Sequence, residues 1–208
     1  MEILQIRLLN HRKANHSLPS AYQRIEYVES TGEQYIDSAL PFTDYPQIEV
    51  TFRSVQSSVY TVCGVTGSEL KYGARVTSSR ASGSNDVITN YYGRYYGYLY
   101  APHANWHSIE LSVGRTVIND IEKLFTGEFY ATEQTIALFG LNNNGKIEPS
   151  AIQIAGCKIY KGQDNPRLAR DFVPCYRKSD GTIGMYDLCE SKFYTNAGTG
   201  EFLKGEDI

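Results

Sequence analysis

Apolar and polar residues alternate with a period of two along most of this chain. In 47–53, Ile48, Val50 and Phe52 fall on one face while Gln47, Glu49, Thr51 and Arg53 fall on the other. That is the pattern of a half-buried antiparallel strand, whose successive side chains point to opposite faces. Around 24–29 the same alternation sets Ile25, Tyr27 and Glu29 against Arg24, Glu26 and Val28. Further strands are predicted over 58–65, 71–77, 108–113, 135–141, 152–160 and 169–173, separated by clusters of Gly, Asn, Asp, Ser or Pro. No stretch sustains a 3.6-residue period with caps, although 126–132 and 149–151 could each hold one helical turn. Many short strands with regular turn signals predict an all-β antiparallel sandwich of the jelly-roll kind.

The C-terminal part reads strand, turn, strand, turn, strand. An apolar run through Phe172 and Val173 meets Pro174, and Ser179-Asp180-Gly181 marks a reversal, because Gly accepts the positive φ of a tight hairpin. Ile183 and Met185-Tyr186-Asp187-Leu188 form the next strand, Glu190-Ser191-Lys192 a polar turn, and Phe193-Tyr194 a last short strand. Asn196-Ala197-Gly198-Thr199-Gly200 then closes the chain in glycine-rich loop.

This cassette, from Leu168-Ala169-Arg170-Asp171 onward, resembles the C-terminal end of a family of concanavalin A-like (LamG-like) jelly-roll domains. The family is common in bacteriophage structural proteins and in proteins of gut bacteria. A second match lies at Leu18-Pro19-Ser20 through Ile25-Glu26-Tyr27-Val28-Glu29-Ser30-Thr31-Gly32 to Gln34-Tyr35-Ile36-Asp37. Weaker echoes fall at Tyr72-Gly73-Ala74-Arg75, Trp106-His107-Ser108-Ile109-Glu110-Leu111 and Leu138-Phe139-Gly140-Leu141 with the asparagines that follow. The resemblance spans 18–204 and implies a concanavalin A-like sandwich over 18–208, preceded by a short arm, 1–17. It implies a phage habitat more than it implies a ligand.

Composition narrows the partners. A chain of 208 residues suits one sandwich and buries about 70% of its unfolded surface, enough for a core without disulfide or metal. The net charge is −3 with Lys and Arg scattered, so no basic stripe invites nucleic acid. The apolar runs fall far short of the roughly 20 residues of a membrane span. Glu2 stands where a signal peptide carries positive charge, and Gln5 and Arg7 interrupt any apolar segment, so no secretory signal is expected. Cys63, Cys157, Cys175 and Cys189 include no C-x-x-C pair, which argues against structural zinc. Cys175 and Cys189 flank the Asp180-Gly181 hairpin and could pair, but synthesis in a reducing cytoplasm favours free thiols.

Catalytic signatures are sparse. Jelly-roll glucanases carry alternating acids on one strand, of the form Glu-x-Asp-x-x-Glu, because cleavage needs two carboxylates flanking the bond. Here Glu29, Glu33 and Asp37 are four apart across a turn, and no Gly-x-Ser-x-Gly elbow or phosphate loop is present. His103 and His107 have metal-like spacing only on a helix, which Pro102 and Trp106 oppose. Calcium is the one candidate ion: Asn85-Asp86, Asn119-Asp120 and Asn142-Asn143-Asn144 offer loop oxygens, although Asn and Asp also form turns without any ion.

The oddest segment is Asn90–Tyr100, which holds six of the seventeen tyrosines. Read as one continuous strand, it puts Tyr92, Arg94, Tyr96, Tyr98 and Tyr100 on a shared face. Gly93 and Gly97 leave slots beside the rings. Such a face suits stacking on sugars, a protein interface rich in Tyr and Arg, or simple core filling. We carry these five residues forward as candidate ligand-binding or partner-binding positions, with at least three rings expected to be partly exposed.

These readings combine into one expectation: a non-enzymatic component of a phage virion, of head-fibre, decoration or tail-adhesin type, assembled in the host cytoplasm. It would display a lectin-like domain toward host-surface or mucus glycans. A purely structural assembly module and a carbohydrate-binding module of a bacterial surface protein are the alternatives. Other virion proteins and further copies of the chain are the expected partners, and no cofactor is expected. In the arm, Leu4, Ile6 and Leu8 alternate with Gln5 and Arg7, so it can add as a strand to an exposed sheet edge of a neighbour. Deleting residues 1–17 is expected to leave a folded, soluble domain that fails to enter particles. Unfolding on deletion would show instead that the arm closes an edge of its own sandwich.

Overall fold

The period-two segments form strands, and strands are the only regular elements among the described residues. The structure is a computed structural model that describes residues 17–55, 60–67, 73–80, 85–93, 95–102, 104–126 and 128–208, with backbone alone at 79–80, 85–87, 89–91, 95–99 and 101–102. Leu4, Ile6 and Leu8 of the arm lie outside the described residues.

The strands, in chain order, are β1 (Tyr22–Arg24), β2 (Val28–Thr31), β3 (Ile36–Phe42), β4 (Gln47–Ser54), β5 (Tyr60–Thr66), β6 (Ala74–Arg80) and β7 (Asn85–Tyr92). There follow β8 (Tyr95–Pro102), β9 (His107–Ser112), β10 (Arg115–Ile118), β11 (Ile121–Leu124), β12 (Thr132–Leu138) and β13 (Gly140–Asn143). The last are β14 (Lys146–Pro149), β15 (Ala151–Lys161), β16 (Arg167–Arg177), β17 (Ile183–Asp187), β18 (Lys192–Thr195) and β19 (Leu203–Lys204). The larger sheet runs β11-β10-β9-β4-β15-β16-β17-β18, with β1 on β16, β2 on β15 and β19 on β2. The smaller runs β14-β13-β5-β6-β7-β8, with β12 joining β5 to β3. Their inner faces meet in one core, to which β4 gives Ile48, Val50 and Phe52, β15 gives Ile152, Ile154 and Ile159, and the smaller sheet gives Phe42, Val62, Val76, Ile88 and Leu138.

The fold is therefore the expected all-β sandwich, with local departures. Ile25 and Val28 are both fully buried although three residues apart, because the chain bends at Glu26 and Tyr27 and the alternation restarts. The single strand expected over 135–141 is two strands, broken at Phe139, whose φ of +62° turns the chain while its ring packs on Phe202. Among the described residues neither possible helical turn forms: Pro149 ends β14, Ala151 begins β15, and 128–131 is irregular. All four cysteines are free, and Cys175 faces Gly184 across β17 rather than Cys189.

The two cassettes at the ends of the chain form one unit. β1 pairs with β16 and β2 with β19, while the Asn196 side chain accepts from the Tyr35 amide at 3.2 Å and Ala197 N donates to Tyr35 O at 3.0 Å. Gly198 is required there, since a Cβ would stand 2.1 Å from Glu33 O. The Asp180-Gly181 reversal forms as expected, with Gly181 at φ +73° and Arg177 gripping the Asp180 carboxylate through Nε and Nη2.

A charged residue joins the two sheets. Arg170 on β16, 6% exposed, reaches Asp187 on β17 (Nε to Oδ2, 3.5 Å) and Glu190 (Nη1 to Oε1, 2.7 Å). The same Nε donates to Ser38 O on β3, at 3.1 Å, in the opposite sheet. Asp187 is fully buried and accepts the Asp171 and Cys189 amides at 2.8 and 3.0 Å. Removing one partner of such a pair strands the other charge in a dry interior. Arg170→Met is therefore expected to lower stability by about 3–5 kcal/mol, read as a Tm loss on the order of 10 °C. Adding Asp187→Leu should recover only part, because two backbone amides then lose their acceptor.

Candidate functional site

The site is built from the polar side of β4. With Ile48, Val50, Phe52 and Ser54 turned inward, Glu49, Thr51 and Arg53 face out from the larger sheet. Antiparallel register then sets their neighbours, because directly opposed residues share a face. Thr51 lies opposite Ser108 on β9 and Gly156 on β15. Glu49 lies opposite Glu110 and Lys158, and Lys158 opposite Asp171 on β16. Arg53 lies opposite Gln153, which in turn faces Glu29 on β2.

Three parallel rows result. The middle row, Ser108, Thr51 and Gly156, consists of small residues and forms the floor of a cleft of about 290 Å³. A β-bulge between Ile154 and Gly156 bends β15 at this point. Gly156 keeps the floor low, for a Cβ there would meet nothing nearer than Phe172 O at 3.7 Å. One wall is the charged row Glu110, Glu49, Lys158 and Asp171. Beyond the floor on the other side, two residues or roughly 7 Å along β4, Arg53 lies beside two adjacent rings. Its guanidinium is 4.7 Å from the Trp106 ring and 5.5 Å from that of Tyr27, and the rings are themselves 5.7 Å apart. Trp106, the only tryptophan, remains 39% exposed.

The charged wall is electrostatically loaded. Burial raises the Glu49 carboxyl pKa, the Tyr160 hydroxyl bond opposes this, and Glu110 adds repulsion. Burial also raises Asp171, with Lys158 opposing. Glu110 is held by Arg115 at 3.2 Å.

The tyrosine-rich segment has a different form from the expected one. It is a hairpin, not a continuous strand: Gly93, at φ +66°, opens a two-residue turn, and Tyr92 pairs with Tyr95. Pairing 92 with 95 places Tyr92 on the opposite side of the hairpin from positions 96, 98 and 100. Tyr92 is 1% exposed, packs on Phe42 at 5.4 Å and donates its hydroxyl to Pro46 O at 3.1 Å. It is core and cannot touch a ligand. Tyr100 is 61% exposed on β8, an outermost strand of the smaller sheet. Arg94 lies outside the described residues, as do the side chains of Tyr96 and Tyr98.

The remaining candidates resolve as local structure where they are described. His107 is buried against Phe52, with Nδ1 3.0 Å from the Asn119 amide nitrogen, while His103 lies outside the described residues. Asn119 and Asp120 hold positive φ in a hairpin turn, and Asn119 Oδ1 accepts the Ser108 amide. Asn142 Oδ1 accepts the Gly145 amide in the same way. The Asn85 and Asp86 side chains lie outside the described residues. Among those described, no three His, Cys, Asp or Glu side chains gather as metal ligands. Glu29 and Asp37 lie on strands of different sheets.

The cleft escaped the sequence reading because its parts are distant in the chain. In the sequence Trp106 figures only in a weak family echo and as an obstacle to a histidine metal pair. The available signal was the polar face of 47–53 itself, which ends in Arg53.

No protein-family model matches the chain, and no curated protein matches it. Among solved structures it is similar to a protein of Bacteroides ovatus to which carbohydrate binding is ascribed, at 13% identity and a TM-score of 0.52. That match covers 89% of this chain and 62% of the other, so the chain spans about three fifths of that protein. It also resembles a heptameric SAP-like pentraxin of Limulus polyphemus (8% identity, TM-score 0.48, 69% of this chain and 77% of that one). A third similarity is to domains LG4-5 of the mouse laminin α1 chain (13% identity, TM-score 0.41, 72% and 45%). The fold is that of the concanavalin A-like, jelly-roll sandwiches.

The raised Glu49 pKa makes a stability prediction. A carboxyl raised above its unfolded value burdens the fold when charged, and the burden lifts as pH falls through the raised value. Glu49→Gln is expected to raise Tm at neutral pH and to lose that advantage as pH falls below about 4, where both states of the native residue are protonated. Calorimetry across pH reads this directly; a lower Tm for the variant at neutral pH would contradict it.

Proposed function

We propose that the chain is a non-catalytic glycan-binding domain whose ligand lies in the cleft on the outer face of the larger sheet. The observation that carries the reading is the exposed Trp106 ring beside Arg53 and Tyr27, with Arg53 two residues along β4 from the small-residue row of Ser108, Thr51 and Gly156 that lines the cleft. Aromatic rings stack on the apolar faces of sugars, small floor residues admit a flat ring, and the polar rows satisfy hydroxyls. The carbohydrate binding ascribed to the Bacteroides ovatus protein of the same fold supports the reading. Binding rather than hydrolysis is the reading we favour, since Glu110 is engaged by Arg115 and Glu49 by Tyr160.

The setting we propose is the surface of a bacteriophage particle, where the domain would attach to host-surface or mucus glycans. The two end cassettes, which resemble those of phage structural proteins, support this. Immunogold labelling of purified particles tests it, and unlabelled particles would refute it.

Glycan-array binding by the isolated protein tests the ligand class. Trp106→Ala is expected to weaken binding by about 1–3 kcal/mol, with Tm nearly unchanged because the ring is partly exposed. Loss of polymer from any glucan or mucin on incubation with the protein would overturn the non-catalytic part.

A further inference from the structure

A donor wall stands beside the cleft, two residues along β4 and outside its lining, while the cleft itself has an acceptor wall, and that opposition limits what the outer face can hold. Arg53 Nε donates to Gln153 Oε1 at 2.6 Å, and Gln153 Nε2 donates to Glu29 Oε2 at 2.6 Å. Gln153 is 5% exposed, so its amide is fixed at both ends. The relay and the two adjacent rings orient the guanidinium. Among the described residues nothing accepts from Arg53 Nη1 or Nη2, which leaves a rigid two-nitrogen fork for a ligand. The facing wall does the reverse. Glu110 is paired with Arg115, and three further carboxylates, those of Glu49, Asp120 and Asp171, line the cleft against two cations, Lys158 and Arg24.

Resting on the glycan reading above, we propose that the ligand is a neutral, hydroxyl-rich oligosaccharide. Arg53 is its specificity-determining donor, and Gln153 and Glu29 are positioning residues that aim Arg53. A hydroxyl both donates and accepts, so one polyol satisfies both walls. A polyuronate suits the Arg53 fork with one carboxylate but brings the carboxylates of its next rings against those of the cleft. An ammonium-bearing sugar suits the carboxylates but faces the guanidinium. Like-charge contacts of this kind reject a ligand more effectively than good contacts attract one. Arg53 and Glu49 stand four residues apart on β4, about 13 Å between Cα atoms, so both walls are engaged together by a short oligosaccharide rather than by one sugar ring.

The test is titration calorimetry on the full chain with hexasaccharides of three kinds: neutral gluco-, manno- and galacto-oligomers, an oligogalacturonate, and a glucosamine oligomer. At least one neutral hexamer is expected to bind about tenfold or more tightly than either charged one. Arg53→Met and Glu29→Ala should each weaken that binding in a protein that still folds, with a Tm loss of several degrees from the Gln153 amide left unpaired, and Arg53→Lys should not rescue binding, because Lys lacks the fork. Glu49→Gln should improve oligogalacturonate binding selectively, which a merely structural role for Glu49 would not do. An exposed control, Glu133→Gln, should change neither. A charged hexamer binding as tightly as any neutral one, or unchanged neutral affinity in Arg53→Met, overturns the inference while leaving glycan binding in place. Failure of all the hexamers to bind overturns both.

Discussion

The rest of the structure hangs on Arg170. A guanidinium almost wholly withdrawn from water must have acceptors and a counter-charge, and here Ser38 O accepts from Nε, Ala169 O and Glu190 accept from Nη1, and the Asp187 carboxylate stands 3.5 Å away. Because Ser38 belongs to β3 and Asp187 to β17, this cation fixes the spacing of the two sheets as well as the pairing within one. It also fixes register. With Arg170 inward, its neighbour Asp171 must face outward, opposite Lys158 and into the cleft. A slip of one residue on β16 would put Asp171 in the core and Arg170 in water, exchanging every side chain of the strand between faces. The buried ion pair and the charged wall of the cleft are thus two sides of one strand.

The second constraint is the bulge on β15. Between Ile154 and Gly156 the pairing with β4 gains a residue, so Ile154 and Cys157 both point into the core although three apart. The extra residue lets β15 serve two neighbours on its far side. Its first part pairs with β2 and its second with β16. The position where β2 gives way to β16 is where Tyr27 reaches Arg53 and where the cleft floor begins. The site therefore lies at a break in strand pairing, where a groove costs no buried apolar area.

Much of this was legible in the sequence. Period-two alternation found β4 and β9, because each has one face in the core and one turned outward, and the Asp180-Gly181 hairpin was readable because Gly is needed at its turn. The end cassettes join in one unit for a physical reason. They contain the Arg170–Asp187 pair and the Gly198 contact with Glu33, which tolerate few substitutes. Where reading failed, a single dihedral was responsible. Nothing in Leu138-Phe139-Gly140 announces that Phe139 takes a positive φ, since a bulky residue there is disfavoured and is held by its packing on Phe202. Gly93 was visible, but as a missing side chain in a strand rather than as a turn, and that choice reversed the face assigned to Tyr92.

The site was hidden for a different reason. Glu29, Arg53, Trp106 and Gln153 come from four segments separated by up to 124 positions, and each alone reads as an ordinary surface residue. Only register brings them together: Arg53 faces Gln153, Gln153 faces Glu29, and Trp106 precedes the residue that pairs beside Phe52. The tyrosine segment drew attention because its six rings are local, yet local concentration is what a hairpin uses to fill both of its sides, and the one ring shown to be buried, Tyr92, does so. In a sandwich, recognition chemistry runs across strands rather than along them. A row that crosses β2, β15 and β4 must therefore be sought in the pairing, with the aromatic residue that ends it as the marker.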